Sequence, residues 1–378
     1  MTLRIAVNTR LLIKDKLDGI GRFSAEVLDR MVKKHPEHQF YFLFDRPYDR
    51  SFVFASNVTP VVLGPMARHP LLFVVWFEFS VAKWLAKNKP DLFFSPDGYT
   101  TLSTAIKCHV VMHDLNFEHY PNDVPWLVRK YYRYFFPRFA DKASRIATVS
   151  RFSANDIASA YRQEPGKIDV VYNGVSDQFK PSSGEEIQAF KSNVCGGADY
   201  FLTLGSIHPR KNVARTIKAY TWFRRKFPEH RHKLVLIGNS YWWNNEMKDA
   251  LESSEFKKDV IFPGRLNDKE VNIAIGGATA MVYISYFEGF GIPMIEAMKC
   301  GTPVIAANAT ALPEIAGKAA FYVDPFSVED ISHGMHRLIT DQLERDRLIR
   351  NGFEKAAEYT WEKSADLMWE SIGKILNS

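Results

Sequence analysis

Short, almost wholly apolar runs alternate along the chain with longer segments whose apolar positions recur every three or four residues. In the first half the short runs are Arg4–Asn8, Gln39–Phe44, Leu92–Ser95, His109–Met112, Arg145–Val149 and Ile168–Val171, which read as strands. Segments with helical spacing lie between them, such as Gly21–Lys34 and Ser153–Tyr161. Strands alternating with helices imply parallel sheets. At Pro181-Ser182-Ser183-Gly184-Glu185-Glu186 the composition turns polar and rich in breakers, which marks a linker. The pattern then restarts with strands at Tyr200–Leu204, Lys233–Ile237, Val260–Phe262, Ala280–Ser285 and Pro303–Ala306. Long helical runs fill the gaps, including Val213–Lys226 and Val328–Lys355. The last stretch, Trp361 to Leu376, has apolar residues at Trp361, Ala365, Leu367, Met368, Ile372 and Ile375, the spacing of one buried helix face. Two α/β domains are expected, over residues 1–180 and 181–360.

Composition narrows the class. The 378 residues suffice for two domains, and 46% apolar with 24% charged residues is a globular balance. Met1 leads straight into the first strand, which leaves no room for a secretory leader. The most apolar stretch, Leu71 to Leu85, contains Glu78 and Lys83 and is too short to span a bilayer. Cys108, Cys195 and Cys300 are scattered without metal spacing or a disulfide framework, so a reducing cytoplasm is expected. The net charge of +6 fits nucleotide phosphate or anionic lipid, and nothing reads as a nucleic-acid module. Basic and aromatic residues mingle in Arg129–Phe139. That segment suits either a half-buried helix with snorkelling bases or an interfacial patch facing a membrane-bound acceptor.

Four segments carry candidate chemistry. In Tyr286-Phe287-Glu288-Gly289-Phe290-Gly291-Ile292-Pro293-Met294-Ile295-Glu296 a strand runs through a loop into a helix, with Pro293 in the first turn. Open parallel sheets bind ligands at such carboxyl ends. Gly289 and Gly291 admit close approach of a ligand to backbone N–H groups, and the helix start favours an anion. Glu288 in the loop and Glu296 in the first helical turn suit sugar hydroxyls at two ends of one ligand, with phosphate between. The second segment, Leu204-Gly205-Ser206-Ile207-His208-Pro209-Arg210-Lys211-Asn212, sets two cations where a diphosphate could lie. The third is His113-Asp114, after a strand, where a neutral imidazole can accept or donate near pH 7. The fourth, Asp18-Gly19-Ile20-Gly21, opens a helix with two glycines. There is no Asp-x-Asp pair to anchor a metal diphosphate and no Gly-x-Ser-x-Gly elbow, so no metal and no cofactor is expected.

Together these segments resemble the retaining glycosyltransferases of family 4, in wording close to bacterial mannosyltransferases of surface-polysaccharide synthesis. Also similar are Thr148–Ser153, Tyr172–Val175, Phe262–Leu266 and Leu312-Pro313-Glu314. The resemblance implies a GT-B fold, with two Rossmann-like domains facing each other across a cleft and the last helix, 361–378, packing back on the first. It implies a nucleoside-diphosphate sugar as donor, with GDP-mannose the first expectation. The acceptor would be a glycan or lipid-linked hydroxyl, reached in the cytoplasm or at the inner face of a membrane by peripheral contact. Glu288 would hold the donor sugar with backbone groups of Gly289, Phe290, Gly291 and Ile292, and Glu296 the ribose. Arg210 and Lys211 would take the diphosphate, Gly264, Arg265 and Leu266 the base, Gly21 a phosphate, and His113 the transferred sugar. Ser206 stands where many members carry an arginine. Rival readings are an NAD-dependent oxidoreductase, from Gly19-Ile20-Gly21 with Asp45, a nucleotide-sugar isomerase of the same fold, and a catalytically dead sugar-binding subunit. A dinucleotide fingerprint needs its first glycine at the strand end, and Gly19 lies well past Asn8.

Overall fold

In a computed structural model of the chain, described for residues 2–238, 243–264 and 266–376, two parallel sheets form two compact units. The first unit is Met1–Gly174 with Thr360–Ser378, and the second is Val175–Tyr359. The first sheet contains β1 (Arg4–Asn8), β2 (Gln39–Phe44), β3 (Val58–Val62), β4 (Leu92–Ser95), β5 (Cys108–Val111), β6 (Arg145–Thr148) and β7 (Ile168–Val170). Their order is β3-β2-β1-β4-β5-β6-β7. The second contains β8 (Tyr200–Leu204), β9 (Lys233–Ile237), β10 (Val260–Ile261), β11 (Ala280–Tyr283), β12 (Val304–Ala307) and β13 (Ala320–Val323), in the order β10-β9-β8-β11-β12-β13. The direction of strand progression reverses between β1 and β4 in one sheet and between β8 and β11 in the other. Those are the positions at which such sheets open a crevice.

Burial on both faces explains the continuous apolar strands. In β2, Phe40, Phe42 and Phe44 point into one core, with Val27, Met31 and Ile372. Leu43 enters the core on the other face with Trp76, Phe93 and Phe139. The last helix, Trp361–Leu376, belongs to the first unit. Its Trp361, Met368, Ile372 and Ile375 fill the first core, while Leu367 stays exposed. Ion pairs Arg30–Glu362 (2.6 Å) and Lys34–Asp366 (2.5 Å) tie it to the helix Gly19–Lys34, and Trp369 stacks on His35 at 3.8 Å. Where the chain leaves this unit, a Cβ on Gly174 would stand 2.3 Å from the Trp361 nitrogen, so no larger residue fits there.

The sequence reading differs from this fold in particular places. The break between units falls after Gly174 rather than at Pro181. The polar stretch at Ser183 is instead the reciprocal cap of the helix Gly184–Cys195, whose composition a linker shares. β3 went unread because Pro60 interrupts it, which an edge strand tolerates. The short β13 was also unread, and several strand ends move by one or two residues. The run Val328–Lys355 is two helices, Val328–Thr340 and Gln342–Ala357. Asp341 interrupts it and caps the second by accepting from the Glu344 amide at 3.0 Å.

His109 is fully buried on β5, and its Nε2 lies 2.7 Å from the Ser371 hydroxyl of the last helix. Ser371 donates to Asp169 (2.6 Å), so it accepts from His109 and fixes the Nε2–H tautomer. Nδ1 is left without a partner. Burial holds this imidazole neutral, its pKa pushed down to about 3. The unfolded chain therefore takes up a proton that the folded chain refuses as pH falls below about 6.5. Replacing His109 with Gln, which keeps an N–H donor, is expected to flatten the fall in unfolding free energy between pH 6.5 and 5 by about 1.6 kcal/mol. Denaturant titrations at the two pH values measure it, and parallel slopes for both proteins would refute the assignment.

Candidate donor-binding site

The two loops that meet in the second unit follow β8 and β11, the strands flanking its switch point. After β8 the chain turns through Gly205, whose φ of +133° suits glycine. A helical turn, Pro209–Lys211, follows, with the His208 ring accepting from the Arg210 amide at 3.3 Å. Asn212 ends the turn in the left-handed region (φ 61°) and donates to the carbonyls of Ile284 (3.2 Å) and Pro325 (2.6 Å). These bonds anchor the Arg210-Lys211 turn beside the ends of β11 and β13. The Tyr286 amide also donates to the Arg210 carbonyl at 3.0 Å.

Both cations grip one buried acid. Arg210 Nη1 lies 2.6 Å from Glu288 Oε2, and Lys211 Nζ lies 2.5 Å from Oε1. The Tyr283 hydroxyl donates to Glu288 Oε1 at 3.0 Å and accepts from Lys211 at 2.6 Å. The Glu288 amide donates to the Thr310 hydroxyl at 3.1 Å. Burial by itself would raise the Glu288 pKa. The charges of Arg210 and Lys211 outweigh it and bring the group down to about 2. Glu288 is thus anionic throughout the physiological range, and the two cations are held in place by it.

Tyr283 and Thr310 went unread in the sequence. Both lie at carboxyl ends of strands, at the end of β11 and in the loop after β12, and that position was the available signal.

The other residues are placed less uniformly. Glu296 is buried on the helix Ile292–Lys299, at its fifth residue, so it lies in the second turn rather than the first. Burial and then the Glu296 charge push the Cys300 thiol up to about 12, which puts that carboxylate beside Cys300. Gly291 has φ 97°, which favours glycine, and a Cβ there would press on the end of the Leu312 side chain at 2.8 Å. The Phe290 ring is buried edge-on against Tyr359 at 5.3 Å, leaving only its main chain for a ligand. Gly289 is buried and Ile292 half-buried, while Gly264 (φ 82°) is exposed and Leu266 half-buried. Arg265 lies outside the described residues.

In the first unit His113 follows β5 and is half-buried, its edge toward Phe23 at 4.9 Å. Nε2 lies 2.8 Å from the Pro96 carbonyl, so it carries the proton and Nδ1 is the acceptor. Burial lowers its pKa and keeps it neutral, against the opposing pull of Pro96, Asp114, Asp97 and Asp18. Gly21 is placed differently from the expectation. Its amide donates to the capping Asp18 carboxylate at 2.7 Å, and a Cβ would meet the Leu11 carbonyl at 3.0 Å. Its smallness serves chain packing, and its N–H is already engaged. A buried pair unread in the sequence joins the loops after β1 and β4, with Arg10 Nε 2.7 Å from Asp97 Oδ2 and Asn8 donating to Asp97 Oδ1 at 2.8 Å. Asp45 accepts from Arg46 and from the Ala67 amide at 2.8 Å, which engages the acid that a dinucleotide reading needs. Among the described residues, two groups bring metal-ligating atoms within 4.8 Å, His35–Glu37–His38 and Glu229–His230–His336. Neither includes a residue of the Glu288 cluster.

Comparison with known proteins agrees over nearly the whole chain. Residues 17–179 match the model described as Glycosyltransferase Family 4, and residues 184–355 match Glycosyl transferases group 1. The O-antigen chain mannosyltransferase B of Escherichia coli is 27% identical over 93% of this chain and 94% of its own length. The serotype-specific mannosyltransferase WbdA of Escherichia coli is 24% identical over 97% of this chain but 47% of its own length. The crystal structure of Anabaena Alr3699/HepE in complex with UDP and glucose has a TM-score of 0.75 at 14% identity. It covers 98% of this chain and 100% of that one, and so shows the shared fold. None of these similarities supports an oxidoreductase or an isomerase.

Substituting Glu288 with Gln removes the charge that holds Arg210 and Lys211 together. The expected loss is on the order of 2 kcal/mol, less than the ~3–5 of a wholly buried broken pair, since Arg210 is 25% exposed. The depressed pKa adds a second signature. The stability that Glu288 contributes is complete above its unfolded value near 4.5 and is lost as pH falls toward about 2. Unfolding midpoints that coincide for the two proteins at neutral pH would show that the cluster does not hold the loops.

Proposed function

We propose that this chain, a glycosyltransferase whose first domain matches Glycosyltransferase Family 4 and whose second matches Glycosyl transferases group 1, transfers mannose from GDP-mannose to a hydroxyl of a glycan or lipid-linked acceptor, with retention at the anomeric carbon. The observation that carries the reading is the grip of Arg210 and Lys211 on buried Glu288 at the switch point of the second sheet. Mannose as the sugar is supported by the O-antigen mannosyltransferases among the relatives.

In this reading the diphosphate takes up the Arg210 and Lys211 donors, while Glu288 turns oxygens to the hydroxyls of the sugar. Glu296 accepts from the ribose diol, and the main chain of Gly264 and Leu266 borders the base. The main chain of Gly289–Ile292 approaches the donor sugar. In the first unit neutral His113 presents Nδ1 as a hydroxyl acceptor. As the bond from the anomeric carbon to the phosphate oxygen breaks, charge grows on the leaving nucleoside diphosphate. Cations oriented beforehand stabilise it without reorganisation. Glu288 is a poor nucleophile in this reading, because the sugar hydroxyls and the Tyr283 hydroxyl engage its oxygens. The acceptor oxygen therefore attacks from the face the leaving group vacates, and its proton passes to a departing phosphate oxygen. That route retains configuration without a covalent enzyme intermediate.

Lys211→Ala and Glu288→Ala are each expected to lower the transfer rate on the order of a hundredfold or more. Radiolabelled GDP-mannose with an acceptor glycan measures transfer, and unchanged turnover in both variants would remove the site. Thermal shifts decide the donor, because a ligand at about a hundred times its Kd adds ~2.7 kcal/mol to apparent stability. A shift with GDP-mannose and none with UDP-glucose is expected. The reverse would replace mannose and guanosine with the chemistry of the UDP-bound relative.

A further inference from the structure

The helix Trp126–Lys142 in the first unit divides into two faces. Tyr131, Phe136, Phe139 and Ala140 are buried among the aromatic side chains of the core. The opposite stripe repeats at every fourth residue, Trp126, Lys130, Tyr134 and Arg138, and all four are exposed. Aromatic ring and cation alternate along it. The Lys130 ammonium sits over the Trp126 ring at 4.2 Å, and the Arg138 guanidinium sits over Tyr134 at 3.8 Å. Arg129 and Arg133 flank the stripe. Arg129 hydrogen-bonds neutral Asn122 at 2.9 Å, and Arg133 lies 3.7 Å from Glu118. Six of these residues line an open hollow of about 550 Å³, Trp126, Arg129, Lys130, Arg133, Tyr134 and Arg138.

A neighbouring helix adds apolar surface. Pro70–Val75 packs on this helix through Phe73 against Tyr131, ring centres 5.6 Å apart. Its Leu71 is 66% exposed, and Phe79, in the turn that continues it, is 65% exposed. Leu72 and Val75 are also exposed. Water-facing leucine and phenylalanine side chains lose hydration when they enter hydrocarbon. Tryptophan and tyrosine favour the headgroup layer, where one end of the ring stays wet. Cations resting on neutral rings keep their full charge for an approaching phosphate.

We infer that this face docks on an anionic lipid bilayer, with Trp126, Leu71 and Phe79 entering the interface and Arg129, Lys130, Arg133 and Arg138 meeting lipid phosphates. The lipid is chosen over a protein partner by the pairing of two cations, Lys130 and Arg138, with amphipathic rings on one stripe that Arg129 and Arg133 flank. The inference lies wholly within the first unit and stands apart from the identity of the donor.

The full chain is mixed with vesicles of phosphatidylcholine alone and of phosphatidylcholine with phosphatidylglycerol, and bound protein is separated by flotation. Binding only to the anionic vesicles, weakened by added salt, is expected. Lys130→Glu with Arg133→Glu should reduce it at least about tenfold, since each basic residue near the surface contributes about fivefold. Trp126→Ala should reduce binding while leaving its salt dependence in place. Circular dichroism and hexose transfer to a water-soluble acceptor, unchanged in both variants, show that the fold and the donor site are intact. Equal binding to both vesicle types, binding indifferent to the variants, or no flotation of the unaltered chain would overturn the inference. So would a concentration-dependent dimer in lipid-free solution that Trp126→Ala abolishes, which would assign the face to a second copy of the chain.

Discussion

The second unit is organised around a single buried carboxylate. Glu288 would be costly to bury alone, and the two cations from the preceding switch-point loop make its ionised form the stable one. Three strand ends are drawn together by this arrangement. Arg210 and Lys211 come from the loop after β8, Tyr283 ends β11 with Glu288 in the loop beyond it, and Thr310 comes from the loop after β12. Each side chain is oriented by the others before any ligand arrives. The same arrangement makes exchange of anions inexpensive. In the proposed reaction a diphosphate would replace one anionic partner of the cations with another, and the cations would not need to be desolvated afresh.

The first unit repeats the device in miniature. Arg10 lies beyond β1 and Asp97 beyond β4, the strands flanking the reversal in the first sheet, and they meet at 2.7 Å. In each unit a cation from the loop after the unit's first strand meets an acid from the loop after the strand across the switch point. The sheets explain this, since parallel strand ends at the reversal leave backbone groups and loops converging on one crevice. The two pairs differ in exposure. Arg10 has 7% of its side chain exposed and rests on the Tyr99 ring at 4.2 Å, whereas Arg210 keeps 25%. The first pair is therefore locked as a structural tie, and the second retains access to solvent. Beside the tie, His113 is kept neutral by burial, so the first unit presents a polar group without a formal charge.

Much of this was legible from residue order. Continuous apolar runs located nearly every central strand because central parallel strands are buried on both faces. The missed edge strands share a cause: each had a weak local signal that packing overrode. Pro60 obscured an edge strand, and four residues at Ala320–Val323 were too few to show a period. Asp341-Gln342-Leu343-Glu344 carried a legible capping pattern inside what periodicity read as one helix. In the site, Arg210, Lys211 and Glu288 were legible because glycine, proline and charge stand at fixed offsets from strand ends. Tyr283, Thr310, Arg10 and Asp97 were not, since contacts between residues far apart in sequence leave no local spacing to read. Gly21 has a packing role that its sequence context did not show. Its sequence context suggested a ligand, but the close approach it permits is to the Leu11 carbonyl.

The chain's positive charge is used in two physically distinct ways. At Glu288 each cation faces an anion, so the local field is nearly cancelled until another anion competes for the same donors. Selectivity there comes from geometry, because a ligand must match the spacing of Arg210 and Lys211 and also satisfy the carboxylate it displaces. Along Trp126–Arg138 two of the cations face aromatic rings, which orient them without neutralising them. A field of that kind attracts any anionic surface and discriminates little among headgroups. Recognition by the first mode is short-ranged and tolerant of salt, and by the second is long-ranged and screened by it. A single protein that uses both can gather at a charged surface without loading its ligand site with the wrong anion.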